Sequence, residues 1–275
     1  MTTSPPPRRR IALQFAIGVV ILAVVAVLVV LVVHSKQGTA KTVEKAAVSA
    51  PAPKNMRSDG VLIAGGSGTL RTVLTPAVTG NKPVPTNVTK LGSTANIVEY
   101  VDFQCPFCFE FEETNLANIA TWVGDGRATL ELHPIAILDR SSEGTRYSSR
   151  AANAAACVAD YDPQRYIFVA AALYQKQPAE GTRGLTDTQL IAALASAGAS
   201  GPAIDSCVKT EKFKAFVAAS TLRAVDGTFT GVATTPSTFQ GTPTVFVDGA
   251  LYNGSITDAA AFTAFVEQQQ PGTTN

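Results

Sequence analysis

Two cysteines stand where a strand pattern ends and a helix pattern begins, and this placement constrains the fold more than any other feature of the chain. Residues 97–103 are mostly β-branched, aromatic or apolar, which predicts a buried strand. Apolar residues at helical spacing follow Pro106. Cys105 and Cys108 are therefore expected at the helix N-terminus, where unpaired N–H groups and the helix dipole favour a thiolate.

This arrangement predicts a reactive thiol pair. Cys105 is assigned as the attacking sulfur, and Cys108, one turn further, as the sulfur that resolves a mixed disulfide. Pro106 lacks an N–H and suits the first turn of a helix. No metal site is expected, since the other two cysteines are isolated and His34 and His133 are the only histidines. His133 is assigned a structural role with its hydrogen bonds satisfied, and a purely structural CxxC disulfide remains an alternative.

A long apolar run near the N-terminus predicts a membrane anchor. Residues 11–33 contain only Gln14 and Gly18 outside the hydrophobic set. A helix of this length rises about 34 Å, enough to cross a hydrocarbon core of roughly 30 Å. Three arginines in residues 1–10 predict a cytoplasmic tail. We therefore expect a single-pass protein of the cytoplasmic membrane with its N-terminus inside, although a cleaved signal peptide is the alternative.

Residues 34–60 are rich in Ala, Lys, Ser and Pro and lack apolar periodicity, which predicts a flexible linker with a reach of about 30 Å. The net charge of +1 conceals an uneven distribution. Residues 1–60 carry eight basic and two acidic side chains, whereas residues 61–275 carry 14 basic and 19 acidic ones. An acidic folded part argues against a nucleic-acid-binding protein.

The remaining pattern predicts an α/β frame that contains a helical insertion. Residues 61–64 predict an edge strand, and residues 128–138 predict a strand in which Pro134 implies an edge, a bulge or an early end. Residues 144–226 show a succession of helical patterns and no strand pattern. The frame then resumes with short strands at 244–247 and 251–252 and a helix at 257–268.

Three features together carry a resemblance to a known family. They are the strand that ends in F-Q-C-P-F-C with Glu99 six positions before the first cysteine, the helical insertion, and the segment G-T-P-T-V-F-V-D-G at 241–249. Over residues 61–270 the chain resembles the thioredoxin-fold thiol-disulfide oxidoreductases, and within them the DsbA-like branch. The resemblance implies a thioredoxin fold with an inserted all-helical subdomain over residues 61–275, after the transmembrane helix.

The resemblance also implies a substrate-binding surface. Pro243 is expected to be cis and to face the Cys105 sulfur, whereas without the resemblance it would be assigned trans. The backbone of Thr242 is expected to pair with an extended substrate segment by strand addition, next to Pro106 and Phe107. The Thr242 hydroxyl is a candidate donor to a nearby thiolate. Phe107 stands where DsbA itself has a histidine, so we expect a less extreme oxidant.

Acidic residues near the cysteines divide into two groups. Glu99 is expected to lie buried beneath Cys108 with a raised pKa and to carry a proton to or from that sulfur. The alternative for Glu99 is a solvated edge position. A solvated helix face is expected for Glu110, Glu112 and Glu113.

The CxxC assignment leaves Cys157 and Cys207 as the remaining pair, 50 positions apart in the helical insertion. In an oxidising compartment we expect a structural disulfide between them, which would stabilise the fold by roughly 4 kcal/mol in the chain-entropy model. The alternative is two free buried thiols.

These expectations combine into one function. The chain is expected to be an extracytoplasmic oxidoreductase that introduces disulfide bonds into reduced, unfolded exported proteins, without a dissociable cofactor and as a monomer. In the family, reoxidation depends on a quinone-linked membrane oxidase of the DsbB or vitamin K epoxide reductase type. The alternatives are a thiol reductase or isomerase, for example in cytochrome c maturation, and a chaperone or binding module with a structural CxxC.

Overall fold

The computed structural model describes residues 51–80, 82–92, 95–230, 232 and 238–270. The cytoplasmic tail at 1–10 and the anchor at 11–33 lie outside these residues. Within them, no helix has both the length and the apolar character needed to cross a membrane. The anchor therefore stays a prediction.

Within the described residues, six strands form one mixed sheet in the order β2-β1-β4-β3-β5-β6. Strands β3 and β4 are parallel, and every other neighbouring pair is antiparallel. The strands are β1 (Val61–Gly66), β2 (Thr69–Thr72), β3 (Ala95–Val101), β4 (Ala128–Pro134), β5 (Thr244–Val247) and β6 (Ala250–Leu251).

The described part of the chain has seven α-helices, and five of them form the insertion between β4 and β5. Helix α1 joins the parallel strands β3 and β4, and α7 ends the described chain. The helices are α1 (Pro106–Gly124), α2 (Tyr147–Tyr161), α3 (Tyr166–Gln175), α4 (Asp187–Ser196), α5 (Pro202–Lys209), α6 (Lys214–Val225) and α7 (Ala259–Gln269).

The sheet differs from the sequence prediction at one edge. Strand β1 is not an edge strand, because it lies between β4 and β2. The edge strand β2 was missed because it is only four residues long and three of its residues are exposed or half-buried. Strand β4 ends at Pro134 and not at residue 138. Of the three alternatives given for this proline, an edge, a bulge or an early end, the structure shows the early end.

The predicted linker extends too far toward the folded domain. Residues 34–60 were assigned to it, but Met56 is fully buried and Asp59 is only 4% exposed. Both carboxylate oxygens of Asp59 accept hydrogen bonds of 2.7 Å from the guanidinium of Arg223 on α6. The last residues of that range are therefore part of the domain, and the Lys, Ser and Pro content of the segment concealed these contacts.

The two faces of β3 serve different parts of the core. All seven residues of this central strand are buried. Ile97 and Val101 belong to the cluster that contains Cys105 and Cys108, whereas Val98 packs with residues of β5 and α6. Because successive side chains of a strand point to opposite faces, Glu99 is directed to the face of the cysteine cluster.

Cys157 on α2 and Cys207 on α5 are joined by a disulfide bond, with both side chains buried. The bond closes a loop with a sequence separation of 50 residues within the insertion. In the folded protein it lies where the helices α2, α4 and α5 pack on one another. In the unfolded chain it limits the conformations available to the residues between the two cysteines.

We predict that the double variant Cys157→Ala/Cys207→Ala loses about 4 kcal/mol of unfolding free energy, because the loop is no longer closed in the unfolded state. Denaturant unfolding under oxidising conditions measures this loss. The control is Cys105→Ala/Cys108→Ala, because the disulfide that this variant loses closes a loop of only a few residues. Equal stability of the two double variants would contradict the assignment.

Candidate active site

The two free cysteines lie in the turn that connects β3 to α1. Cys105 is the residue before the helix, with an extended backbone (φ −76°, ψ 116°), and Pro106 occupies the first helical position. The carbonyl oxygen of Cys105 accepts hydrogen bonds from the N–H groups of Cys108 (3.1 Å) and Phe109 (3.3 Å). The Cys105 side chain therefore stands at the N-terminus of α1, where backbone N–H groups favour a negative charge.

Buried polar side chains hold this turn in place. Asp102 accepts a hydrogen bond from the N–H of Gln104 and two more from backbone groups just after β4. Burial raises the pKa of Asp102 to about 6. Gln104 donates to the carbonyl oxygen of Ser141 at 3.0 Å, and Gln177 donates to the carbonyl oxygens of Phe103 and Cys105.

The two thiols have different acidities. The pKa of Cys105 is lowered to about 7, first by the Cys108 thiol as a hydrogen-bond donor and then by the nearby Thr242 hydroxyl and the backbone N–H groups of Cys108 and Phe107, against an opposing effect of burial. Burial raises the pKa of Cys108 well above its usual range, and its hydrogen bond to Cys105 adds to this. In the reduced protein Cys105 is therefore the more acidic thiol and ionises first, whereas Cys108 keeps its proton and can donate it toward the Cys105 thiolate.

The loop before β5 faces Cys105. The Thr242–Pro243 peptide bond is cis, and the carbonyl oxygen of Thr242 lies 3.1 Å from the Cys105 sulfur. The Thr242 hydroxyl is buried and has no hydrogen-bond partner, so its effect on the two thiol pKa values is that of a nearby donor rather than a bonded one. The structure thus brings Thr242 and Pro243 to Cys105.

A cavity of about 250 Å³ adjoins this loop. None of the side chains that line it is charged; they come from Phe229, Thr238, residues 240–244, residues 251–254 and Ile256. Phe107 is 57% exposed at the start of α1, and Pro106 beside it is also exposed. The surface next to the cysteine pair therefore combines exposed apolar side chains with an uncharged cavity, which suits an extended polypeptide better than a small ionic substrate.

Glu99 makes no direct hydrogen bond to Cys108, so the proton transfer predicted for it stays a prediction. It is fully buried, and burial raises its pKa well above the usual range. Its neighbour is Glu112 of α1, whose pKa burial raises to about 7. Neither oxygen of Glu99 meets a hydrogen-bond donor among the described residues. A proton held between the two carboxyl groups supplies that donor, so we describe them as an acid pair that shares a proton.

The predicted solvated face of Glu110, Glu112 and Glu113 was wrong for Glu112, which is 7% exposed. Three acids within four residues suggested an exposed surface, although successive residues of a helix point in different directions. Glu112 follows Cys108 by four positions, so the two side chains lie on one face of α1. That spacing was the signal in the sequence that could have placed Glu112 inside.

Tyr174 is buried close enough to the acid pair and to Cys108 for their charges to affect its pKa. Its hydroxyl is buried without a hydrogen-bond partner, and burial together with the charges of Cys108, Glu112 and Glu99 raises its pKa. Tyr174 comes from α3 of the insertion, and sequence reasoning gave it no role because it lies 66 positions beyond Cys108. No local pattern could have brought them together.

His133 lies away from the cysteines and is not satisfied as predicted. It is fully buried and stacks on Tyr100, with ring centroids 4.4 Å apart. Neither ring nitrogen has a hydrogen-bond partner, although Nε2 lies 3.6 Å from a carboxylate oxygen of Glu131. Tyr100 and Glu99 are adjacent in β3 and point to opposite faces, so His133 does not contribute to the thiol site.

Comparisons with known proteins agree with this geometry. The model of a family described as Thioredoxin matches residues 90–268. The reduced disulfide bond oxidoreductase DsbG from Mycobacterium tuberculosis is 30% identical over 67% of this chain and 82% of its own, with a TM-score of 0.54. Oxidised DsbA of Mycobacterium tuberculosis is 28% identical over 78% of this chain and 95% of its own, with a TM-score of 0.56.

A more distant structure shows the fold alone. MdbA, a thiol-disulfide oxidoreductase from Actinomyces oris, is 21% identical over 67% of this chain and 84% of its own, with a TM-score of 0.52. No curated protein sequence matches the chain. The comparisons therefore show a thioredoxin-fold domain with DsbA-like structural neighbours.

We predict that Glu112→Gln stabilises the protein above pH 7 by on the order of 2 kcal/mol. The raised pKa of Glu112 means that the folded protein keeps a proton that the unfolded chain loses, so the free energy of unfolding falls as pH rises from about 4.5 to about 7. The amide of Glu112→Gln does not titrate, so the free energy of unfolding of this variant should decrease much less over the same pH range.

Denaturant unfolding across pH 4 to 8 tests this, with the exposed Glu113→Gln as the control. The control should keep the wild-type slope. A Glu112→Gln variant with the same slope as the wild type would show that Glu112 does not carry the extra proton.

Proposed function

This chain belongs to the thioredoxin family, and we propose that it is a thiol-disulfide oxidoreductase that introduces disulfide bonds into reduced, unfolded exported proteins. The observation that carries the proposal is the difference between the two thiols of one turn. The Cys105 pKa is lowered to about 7 at the helix N-terminus, whereas the pKa of the buried Cys108 is raised. This is the asymmetry that thiol-disulfide exchange requires.

The reaction starts from the Cys105–Cys108 disulfide. A substrate thiolate attacks the Cys105 sulfur, the Cys105–Cys108 bond breaks, and Cys108 leaves as a thiolate that takes up a proton. A second substrate thiolate then attacks the substrate sulfur of the mixed disulfide and releases Cys105 as a thiolate. Two electrons pass from the substrate to the cysteine pair. The low pKa of Cys105 makes it a good leaving group in this second step.

The acid pair offers a source for the proton that Cys108 needs. Glu99 and Glu112 share a proton in the interior, and Tyr174 is affected by the charges of both and of Cys108. We assign Glu99 and Glu112 as the proton reservoir for Cys108. This keeps the role in proton transfer that the sequence suggested for Glu99 and adds Glu112 to it.

The surface around the cysteines supports a polypeptide substrate. The Thr242 carbonyl and cis Pro243 face Cys105, so Thr242 can pair with the backbone of an extended segment. The exposed Pro106 and Phe107 and the uncharged cavity provide apolar contacts for its side chains. Binding through backbone and apolar contacts is compatible with many different unfolded substrates.

We propose that residues 11–33 anchor the chain in the cytoplasmic membrane and that the domain acts outside it as a monomer. The described chain first bonds to the domain at Lys54 and Asn55, which contact Asp160 and Ala159 near the end of α2. An anchor joined there by a linker would keep the domain close to a quinone-linked membrane oxidase of the DsbB or vitamin K epoxide reductase type, which would reoxidise the cysteine pair.

A thiol reductase on the same scaffold is the second candidate function. A Cys105 pKa of about 7 resembles that of thioredoxin more than the strongly depressed value of DsbA. Phe107 explains the difference, because it supplies no donor between the two cysteines. An isomerase and a binding module with a structural CxxC are the remaining alternatives, and the variants below separate the binding module from the enzymes.

We predict that Cys105→Ser reduces the oxidation of a reduced, unfolded substrate to the uncatalysed rate, because no sulfur remains for the substrate to attack. Cys108→Ala, mixed with a substrate that already carries a disulfide, should instead accumulate a mixed disulfide, because the Cys105 thiolate displaces one substrate thiolate and no Cys108 thiol remains to displace Cys105 from the adduct. Non-reducing electrophoresis and mass spectrometry detect this adduct. Undiminished oxidation by Cys105→Ser would establish the binding module in place of the enzyme.

A further inference from the structure

We propose that Gln177 of the helical insertion is a positioning residue for Cys105, which it serves by holding the backbone of the cysteine turn. The inference rests on the proposed function only for the role of Cys105. It means that the insertion is part of the reactive site and does not merely lie beside it.

The contact is made by one amide group on two carbonyl groups. Gln177 Nε2 donates to the carbonyl oxygen of Phe103 at 3.1 Å and to that of Cys105 at 3.0 Å. The two carbonyls flank Gln104, so a single side chain spans the turn between β3 and α1. A carboxamide has two N–H donors, which suits this arrangement.

The structure fixes Gln177 where it can make this contact. It follows the end of α3 by two residues, and its N–H donates to the carbonyl oxygen of Tyr174 at 2.9 Å. The Tyr174 ring packs on Phe103, with centroids 5.3 Å apart. The C-terminal end of α3 therefore touches the cysteine turn through two side chains, one polar and one aromatic.

The consequence for Cys105 is electrostatic. The backbone N–H groups of Phe107 and Cys108 help to stabilise the Cys105 thiolate, and they act over hydrogen-bond distances that a shift of the turn would lengthen. Gln177 holds the carbonyls of Phe103 and Cys105 in the same turn and so limits such a shift. Without the Gln177 amide, the Cys105 thiol should therefore hold its proton more tightly.

The test compares substitutions at two positions. Gln177→Met keeps the length of the side chain but removes its donors, and Gln177→Glu places acceptors opposite the two carbonyls. The controls are Gln175→Met and Gln175→Glu, because Gln175 is exposed at the end of the same helix. The measurement is the rate of Cys105 alkylation by iodoacetamide from pH 5 to 9 in the reduced protein, with the site identified by mass spectrometry.

We expect alkylation of Gln177→Met at pH 6 to be roughly threefold slower than in the wild type, because the fraction of thiolate is smaller. Gln177→Glu should be slower still, and by more than Gln175→Glu, which reports the added charge alone. Gln175→Met should match the wild type. Thermal unfolding of all four variants shows that the comparison is made on folded protein.

Wild-type alkylation profiles for both Gln177 variants would overturn the inference, as would equal effects at the two positions. A change in unfolding temperature with no change in the Cys105 profile would show a structural role only. The alkylation profile does not depend on the direction of electron flow. The inference can therefore fail while the proposed function holds, and the reverse is also true.

Discussion

The position of the Cys105 sulfur at the N-terminus of α1 is the constraint on which the rest of the site depends. Backbone N–H groups of the first turn favour the thiolate there, and the buried Cys108 thiol donates to it from one turn further. Asp102, Gln104 and Gln177 hold the turn. The cis Thr242–Pro243 bond places a backbone carbonyl 3.1 Å from the sulfur. Both sheet and insertion thus contribute to one reactive atom.

The same region carries polar groups that work against stability. Glu99 and Glu112 are buried together, and their raised pKa values reflect the cost of ionising two carboxyls in an apolar interior. A fold selected for stability alone would not place them there. The proton reservoir proposed above for a thiol pair that gains and loses protons would account for this burial, and the Cys157–Cys207 disulfide helps to offset its cost.

Local patterns in the sequence predicted the parts of the molecule that depend on local physics. The strand before Cys105 follows from its nearly continuous run of β-branched, aromatic and apolar residues, and the helix after Pro106 and those of the insertion follow from helical patterns in the sequence. The cis state of Pro243 came only from the resemblance, since a lone X–Pro bond is usually trans.

What the sequence could not indicate depends on contacts between distant segments. Asp59 meets Arg223 across 164 positions, and Gln177 meets Cys105 across 72. The residues next to Asp59 and Gln177 in the sequence give no indication of these distant partners. Glu112 is different, because its spacing of four positions from Cys108 already indicated a shared face of α1. The neighbouring Glu110 and Glu113 nevertheless led to the prediction that Glu112 is exposed.

The most direct test of the central claim is the equilibrium reduction potential of the Cys105–Cys108 pair, measured against glutathione. A dithiol whose thiolate is stabilised holds its electrons and so oxidises other thiols. We predict a potential between about −220 mV and the value of about −120 mV found for DsbA, because Phe107 offers no donor to the thiolate. A value at or below thioredoxin's, about −270 mV, would contradict the proposal and establish a reductase.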